Sequence, residues 1–226
     1  MKWILLTVVI VLGLTNAEEV PEGRAALRKT TRQSLGSIGG LFFGNSEKDI
    51  IIGCMKNGLS KSGADKLQAT YDKVYSCMSD TRIFETPENE FISKVEKCSR
   101  DAINESKACL PRNQTYYPEF FLDFTKSLIR HKYDHKDLLT NSEIVACLNN
   151  FGKYTVQIEY DGCLTNAYQK AGITENIPNS RQEFCRFFEP ADKCFPDTLK
   201  QYCPTSANIN KFFDDYNIAV KHLCQD

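Results

Sequence analysis

The sequence predicts an all-α fold: a disulfide-rich bundle of about seven to nine helices, built as two similar halves that share one core. Three observations carry this. Apolar residues recur at three- and four-residue steps through most of the chain after Asp49, which is the period of an amphipathic helix. No stretch sustains the polar/apolar alternation with tight turns that hairpins require. Ten cysteines, all beyond the first fifty residues, give an even count for cross-linking.

The first residues, MKWILLTVVIVLGLTNA, join Lys2 to an apolar run from Trp3 to Leu14 and then to Thr15-Asn16-Ala17. This is the pattern of a secretory signal peptide, residues 1–17, cleaved after Ala17. The run spans only about 18 Å as a helix, short of a bilayer core, and no later stretch is apolar enough for a membrane span. Residues 18–48 form a polar, then glycine-rich leader containing SLGSIGGLFFG. So many glycines support neither a helix nor a strand period. Within it, Leu41-Phe42-Phe43 is expected to tuck into a groove, and Arg24, Arg28, Lys29 and Arg32 to form a mobile arm.

The helical domain is placed at 49–226. Ile50, Ile51, Cys54 and Leu59 begin it, with Gly58 and Gly63 as punctuation. Leu67, Tyr71, Val74, Tyr75 and Met78 make the next stripe. Thr86-Pro87-Glu88 reads as a helix start, with a capping hydroxyl and proline at the first helical position. Phe91, Val95, Cys98, Ala102 and Cys109 follow on one face until Pro111. Pro118 opens a helix whose buried side is Phe120, Phe121, Phe124, Leu128 and Ile129. Ile144, Cys147, Leu148 and Phe151 mark another helix. Val156, Ile158, Tyr160, Cys163, Leu164 and Tyr168 mark one from about 153 to 170, ended by Gly172. The last stripe is Ile209, Phe213, Tyr216, Val220 and Leu223, closed by Cys224. The halves fall at about 49–110 and 140–224, joined by the aromatic helix after Pro118.

Cys54, Cys77, Cys98, Cys109, Cys147, Cys163, Cys185, Cys194, Cys203 and Cys224 are expected to form five disulfides, as an even set in a secreted chain. A zinc site would show tighter pairs. Gaps of about twenty residues recur at 54/77, 77/98, 163/185 and 203/224, a spacing that suits two successive helices and a turn. Staples between adjacent antiparallel helices then satisfy disulfide geometry, but ten cysteines leave roughly 945 pairings open. Cys185, Cys194 and Cys203 lie nine apart with Pro190 and Pro196 between them. Pro190 is expected to end one helix and Pro196 to start a short one that Pro204 stops, putting three sulfurs on three faces of an elbow. Asn104 and Asn113 head N-x-S/T sequons and are expected glycosylation sites on an exposed edge.

The run from Cys163 to Cys224, the proline-broken FCRFFEPADKCFP and the upstream Cys54–Cys109 series resemble the insect 27-kilodalton haemolymph glycoprotein family. The resemblance covers about residues 45–224. It implies an extracellular fluid protein without established enzyme activity, and it supplies no catalytic motif.

Charge and motifs exclude more than they identify. Basic and acidic residues nearly balance, 28 against 29, and loss of Lys2 with the signal makes the chain slightly more acidic. That gives no basis for nucleic-acid binding. No nucleophile elbow, phosphate loop or dinucleotide fingerprint occurs. His131 and His135 share a helix face, but Lys132 stands where a zinc protease needs glutamate, and the cations around them predict a solvated helix end. No catalytic residue, metal or cofactor is expected. The paired aromatics Phe120, Phe121, Phe124, Phe184, Phe187, Phe188, Phe212, Phe213 and Tyr216 read either as ordinary core or as the lining of an apolar cavity for a lipid or other small hydrophobe. The expected function is that of a secreted, non-enzymatic haemolymph-type glycoprotein that carries such a ligand. The alternatives are an interaction protein (immune, venom or salivary) acting through its surface, and a cryptic hydrolase.

Overall fold

Short polar side chains start several helices where the apolar period begins. The structure, a computed structural model, describes residues 46–172, 177–221 and 224. The expected signal peptide, the expected leader as far as residue 45 and the Leu41-Phe42-Phe43 segment lie outside them, as do His222 and Leu223. Helix α1 is Ser46–Lys56 and α2 is Lys61–Met78, whose cap Ser60 accepts from the Gly63 N–H at 3.1 Å. Helix α3 is Glu88–Cys109 and α4 is Tyr117–Asp134. A single turn, α5, spans Lys136–Leu139. Asn141 then caps α6, Ser142–Asn149. Helix α7 is Tyr154–Ala171, closed by Gly172 in the left-handed region at φ 65°, a conformation that favours glycine. Ser180 caps α8, Arg181–Asp192. Helices α9, Cys194–Lys200, and α10, Ala207–Lys221, complete the chain. The described residues contain no strand.

Several boundaries differ from expectation for local reasons. The first helix begins at Ser46 rather than Asp49, so the end of the leader belongs to it. Pro87 occupies the cap position of α3, and Thr86 makes no capping bond. Pro190 does not stop α8, which continues to Asp192. The proline removes one N–H near the end of the helix, where a single lost bond and a bend are tolerable. Pro196 is the third residue of α9 rather than its start. In a first turn the missing N–H has no intrahelical partner to lose. Ile158, placed on a buried stripe, is 52 % exposed.

All ten cysteines are paired. Cys54–Cys109 encloses Cys77–Cys98, and Cys147–Cys203 encloses Cys163–Cys194, while Cys185 joins Cys224. The three sulfurs of the elbow therefore reach three different elements. No cross-link joins the halves. What joins them is one continuous apolar core, in which α4 meets α8 through edge-on rings: Phe120–Phe184 at 4.9 Å and Phe124–Phe188 at 5.6 Å. Such pairs contribute about 0.5–1.5 kcal/mol each beyond the area they bury.

The nested cross-links also set the correct phase of the internal repeat. Cys54, Cys77, Cys98 and Cys109 correspond to Cys147, Cys163, Cys194 and Cys203, and Cys185 and Cys224 stand outside the correspondence. Segments in register agree with this: IIGCMKN with IVACLNN, VEKCSRD with ADKCFPD, and FFLDF with FFDDY. In the first of these, Gly53 lets α1 approach closely, since a Cβ there would lie 3.0 Å from Leu110. A protease site inserted between Thr140 and Asn141 tests the segregation. After cleavage and denaturation without reductant, two separate fragments are expected on a gel; a single linked species would contradict the pairing.

Candidate functional site

Helix α7 carries two faces of opposite character. Val156, Tyr160 and Leu164 are buried in the core. Tyr154, Ile158, Gly162, Asn166 and Lys170 recur at every fourth position on the other side, where a helix places them one above another. Gly162, Asn166 and Lys170 line a groove of about 590 Å³ between α7 and α9. Its floor is the Cys163–Cys194 disulfide with Ala167 and the buried Thr198, and Glu159, Pro190, Asp197 and Gln201 stand along its exposed edge. A Cβ on Gly162 would meet nothing within 4 Å. Beyond the groove the same face runs into Ile158 and Tyr154, which is 76 % exposed.

In the register of the cross-links Gly162 stands where the first half has Ser76, and Pro190 stands where it has Lys94. Asp197 and Glu159 come from different helices. Glu159 is fixed by the Tyr202 hydroxyl, which donates to it at 2.6 Å.

A second hollow, of about 300 Å³, lies between α4 and α10 around His131, His135 and Asp215. The two imidazoles are 4.4 Å apart between ring centres. His135 Nδ1 lies 3.2 Å from Asp215 Oδ2, which also accepts from Lys211 Nζ at 2.7 Å. Among the described residues no three histidine, cysteine or carboxylate groups are placed to hold a metal. The expectation of a solvated helix end is corrected, because His131 and Lys132 are both buried. Burial first, and the neighbouring His135 second, push the His131 imidazole down to about 4. Burial likewise pushes the Lys132 ammonium down to about 7.

The aromatic residues singled out in the sequence are core. Phe120, Phe121, Phe124, Phe184, Phe187, Phe188, Phe212, Phe213 and Tyr216 are all buried. Their rings fill one another's space, as where Phe184 stacks on Phe188 at 5.3 Å and Phe212 meets Phe213 at 5.2 Å. None of them lines either hollow. Asn104 and Asn113 are exposed. The serine of the first sequon, Ser106, is buried and shares a 2.9 Å hydrogen bond with the Tyr71 hydroxyl. Sequence reasoning missed Glu159, Gly162, Lys170 and Asp197. The available signal was a glycine inside an otherwise continuous helical period, together with residues at every fourth position on the face opposite the core.

Comparison of the chain with protein-family models, with curated proteins and with solved structures gave no match.

His131 makes stability depend on pH in a definite direction. Its folded value lies below the ordinary 6.5, so the unfolded chain binds a proton first as the solution is acidified. The contribution is fully present above pH 6.5 and is lost as pH falls from 6.5 toward 4. Denaturant titrations at pH 7 and pH 4.5 should show His131→Leu losing about 2 kcal/mol less stability than the wild type across that interval. Equal losses would contradict the assignment.

Proposed function

We propose that the chain is a secreted, non-enzymatic glycoprotein of the haemolymph type, and that it carries a small apolar ligand in the groove between α7 and α9. The groove carries this reading: a sulfur-and-alkyl floor in a concavity of about 590 Å³, the size of a small-molecule site. The position of the ligand thereby moves from the aromatic interior to the surface. Five disulfides and the absence, among the described residues, of a helix long and apolar enough to cross a membrane fit an extracellular setting. The cysteine ladder's resemblance to insect haemolymph glycoproteins supports the same setting, and the exposed Asn104 and Asn113 fit sugar attachment.

Magnitudes limit what the floor alone can do. Burying roughly 300 Å² of ligand at about 25 cal/mol per Å² gives about 7 kcal/mol before association costs of at least about 4 kcal/mol. Apolar contact therefore gives weak carriage, and polar contacts at the rim decide affinity and choice.

A second reading has its own observation. Tyr154 and Ile158 extend the groove's face into open solvent, as a protein-docking surface would, which fits the immune, venom or salivary interaction protein.

Native mass spectrometry of protein from its natural fluid, with organic extraction, tests carriage. A stoichiometric apolar compound is expected, together with displacement of a fluorescent hydrophobe. Gly162→Leu places a side chain in the groove without meeting any atom at its Cβ. It should weaken probe binding at least tenfold and leave the thermal midpoint unchanged or raised, since glycine inside a helix costs about 0.5–1 kcal/mol. Wild-type protein that binds no apolar probe would overturn carriage.

A further inference from the structure

We infer that the groove selects a ligand bearing a cationic, ammonium-type group at one end of an apolar body. The inference rests on the carriage reading and specifies its ligand class. The argument is one of register. Cys163 on α7 is bonded to Cys194 at the start of α9, and Glu159, one turn before Cys163, accepts from Tyr202, which lies beyond the end of α9. The two elements therefore run antiparallel across the groove. Asp197, one turn after Cys194, falls toward Glu159, so both carboxylates stand at the same end. Lys170 stands at the other, about 16 Å from Glu159 at 1.5 Å per helical residue, on the side where Pro190 precedes Cys194. The groove is thus polarised: two carboxylates, then an uncharged stretch of Gly162, the disulfide, Ala167 and Pro190, then one ammonium.

Two features decide for a cation rather than an anion. Carboxylates outnumber the ammonium at the rim, and they come from two different helices. The Tyr202 hydroxyl, a neutral donor, also holds Glu159 in position, so less side-chain freedom is lost when a cation arrives. Lys170 at the far end disfavours a second positive charge on the ligand.

The test uses the full secreted protein and three probes with one tail, dodecylamine, dodecanol and dodecanoate, each below its micellar concentration and read by displacement of a fluorescent hydrophobe. Dodecylamine should bind at least tenfold more tightly than the other two. Raised salt should shrink the difference, as should the double variant Glu159→Gln/Asp197→Asn, while Lys170→Gln should preserve it. Dodecanol or dodecanoate binding as tightly as the amine would overturn the inference and leave carriage standing. Failure of all three probes to displace the reporter would overturn carriage and this inference together.

Discussion

Cys54–Cys109 and Cys147–Cys203 each close a long loop, with separations of 55 and 56 residues, around a second cross-link inside it. Everything else in the molecule depends on this enclosure. On chain-entropy reasoning each outer bond removes about 4 kcal/mol of unfolded-state freedom. The inner bonds fasten α2 to α3 in one half and α7 to α9 in the other, while the chain between them is already confined. Surface ion pairs such as Lys107–Glu119 at 2.7 Å add little by comparison.

The two halves solved the same packing problem with different surfaces. Each ties two helices together by its inner disulfide, and the FFLDF and FFDDY segments bury their phenylalanines in the common interior. In the first half the inner disulfide lies at the surface, with Cys77 exposed. In the second half Cys194 is buried and its disulfide lines the concavity. A cross-linked frame tolerates such a concavity, because the bond holds the helices together where side chains do not. The same frame positions Glu159 and Asp197 on rigid backbone, which is what a recognition site needs from its scaffold.

Much of the fold was legible from the sequence because helix periodicity and disulfide arithmetic are local or compositional signals. The stripe from Leu67 to Met78, the Pro118 entry and the Gly172 exit all follow from residue type and spacing. The phase of the repeat was not legible. Cys185 interrupts the second ladder, and the interval from Cys147 to Cys163 is shorter than that from Cys54 to Cys77, so of the recurring gaps only 77/98 coincides with a bond and the pairing stayed open. Paired phenylalanines could not reveal whether they filled or lined a space, since both uses require the same apolar rings. Lys132 looked solvated because lysine almost always is; only the packing around α4 buries it. The groove escaped notice because its floor is made of residues whose partners come from distant parts of the chain.

Because every covalent bond between sulfurs stays within its own half, with Cys109 the last of one set and Cys147 the first of the other, oxidation can proceed in the order of synthesis. The leading half can complete its thiol chemistry while the trailing half is still being made, without waiting for a distant partner and without an exchange step to undo. The aromatic seam between α4 and α8 then becomes the final assembly event: two separately locked pieces meet by burial of rings alone.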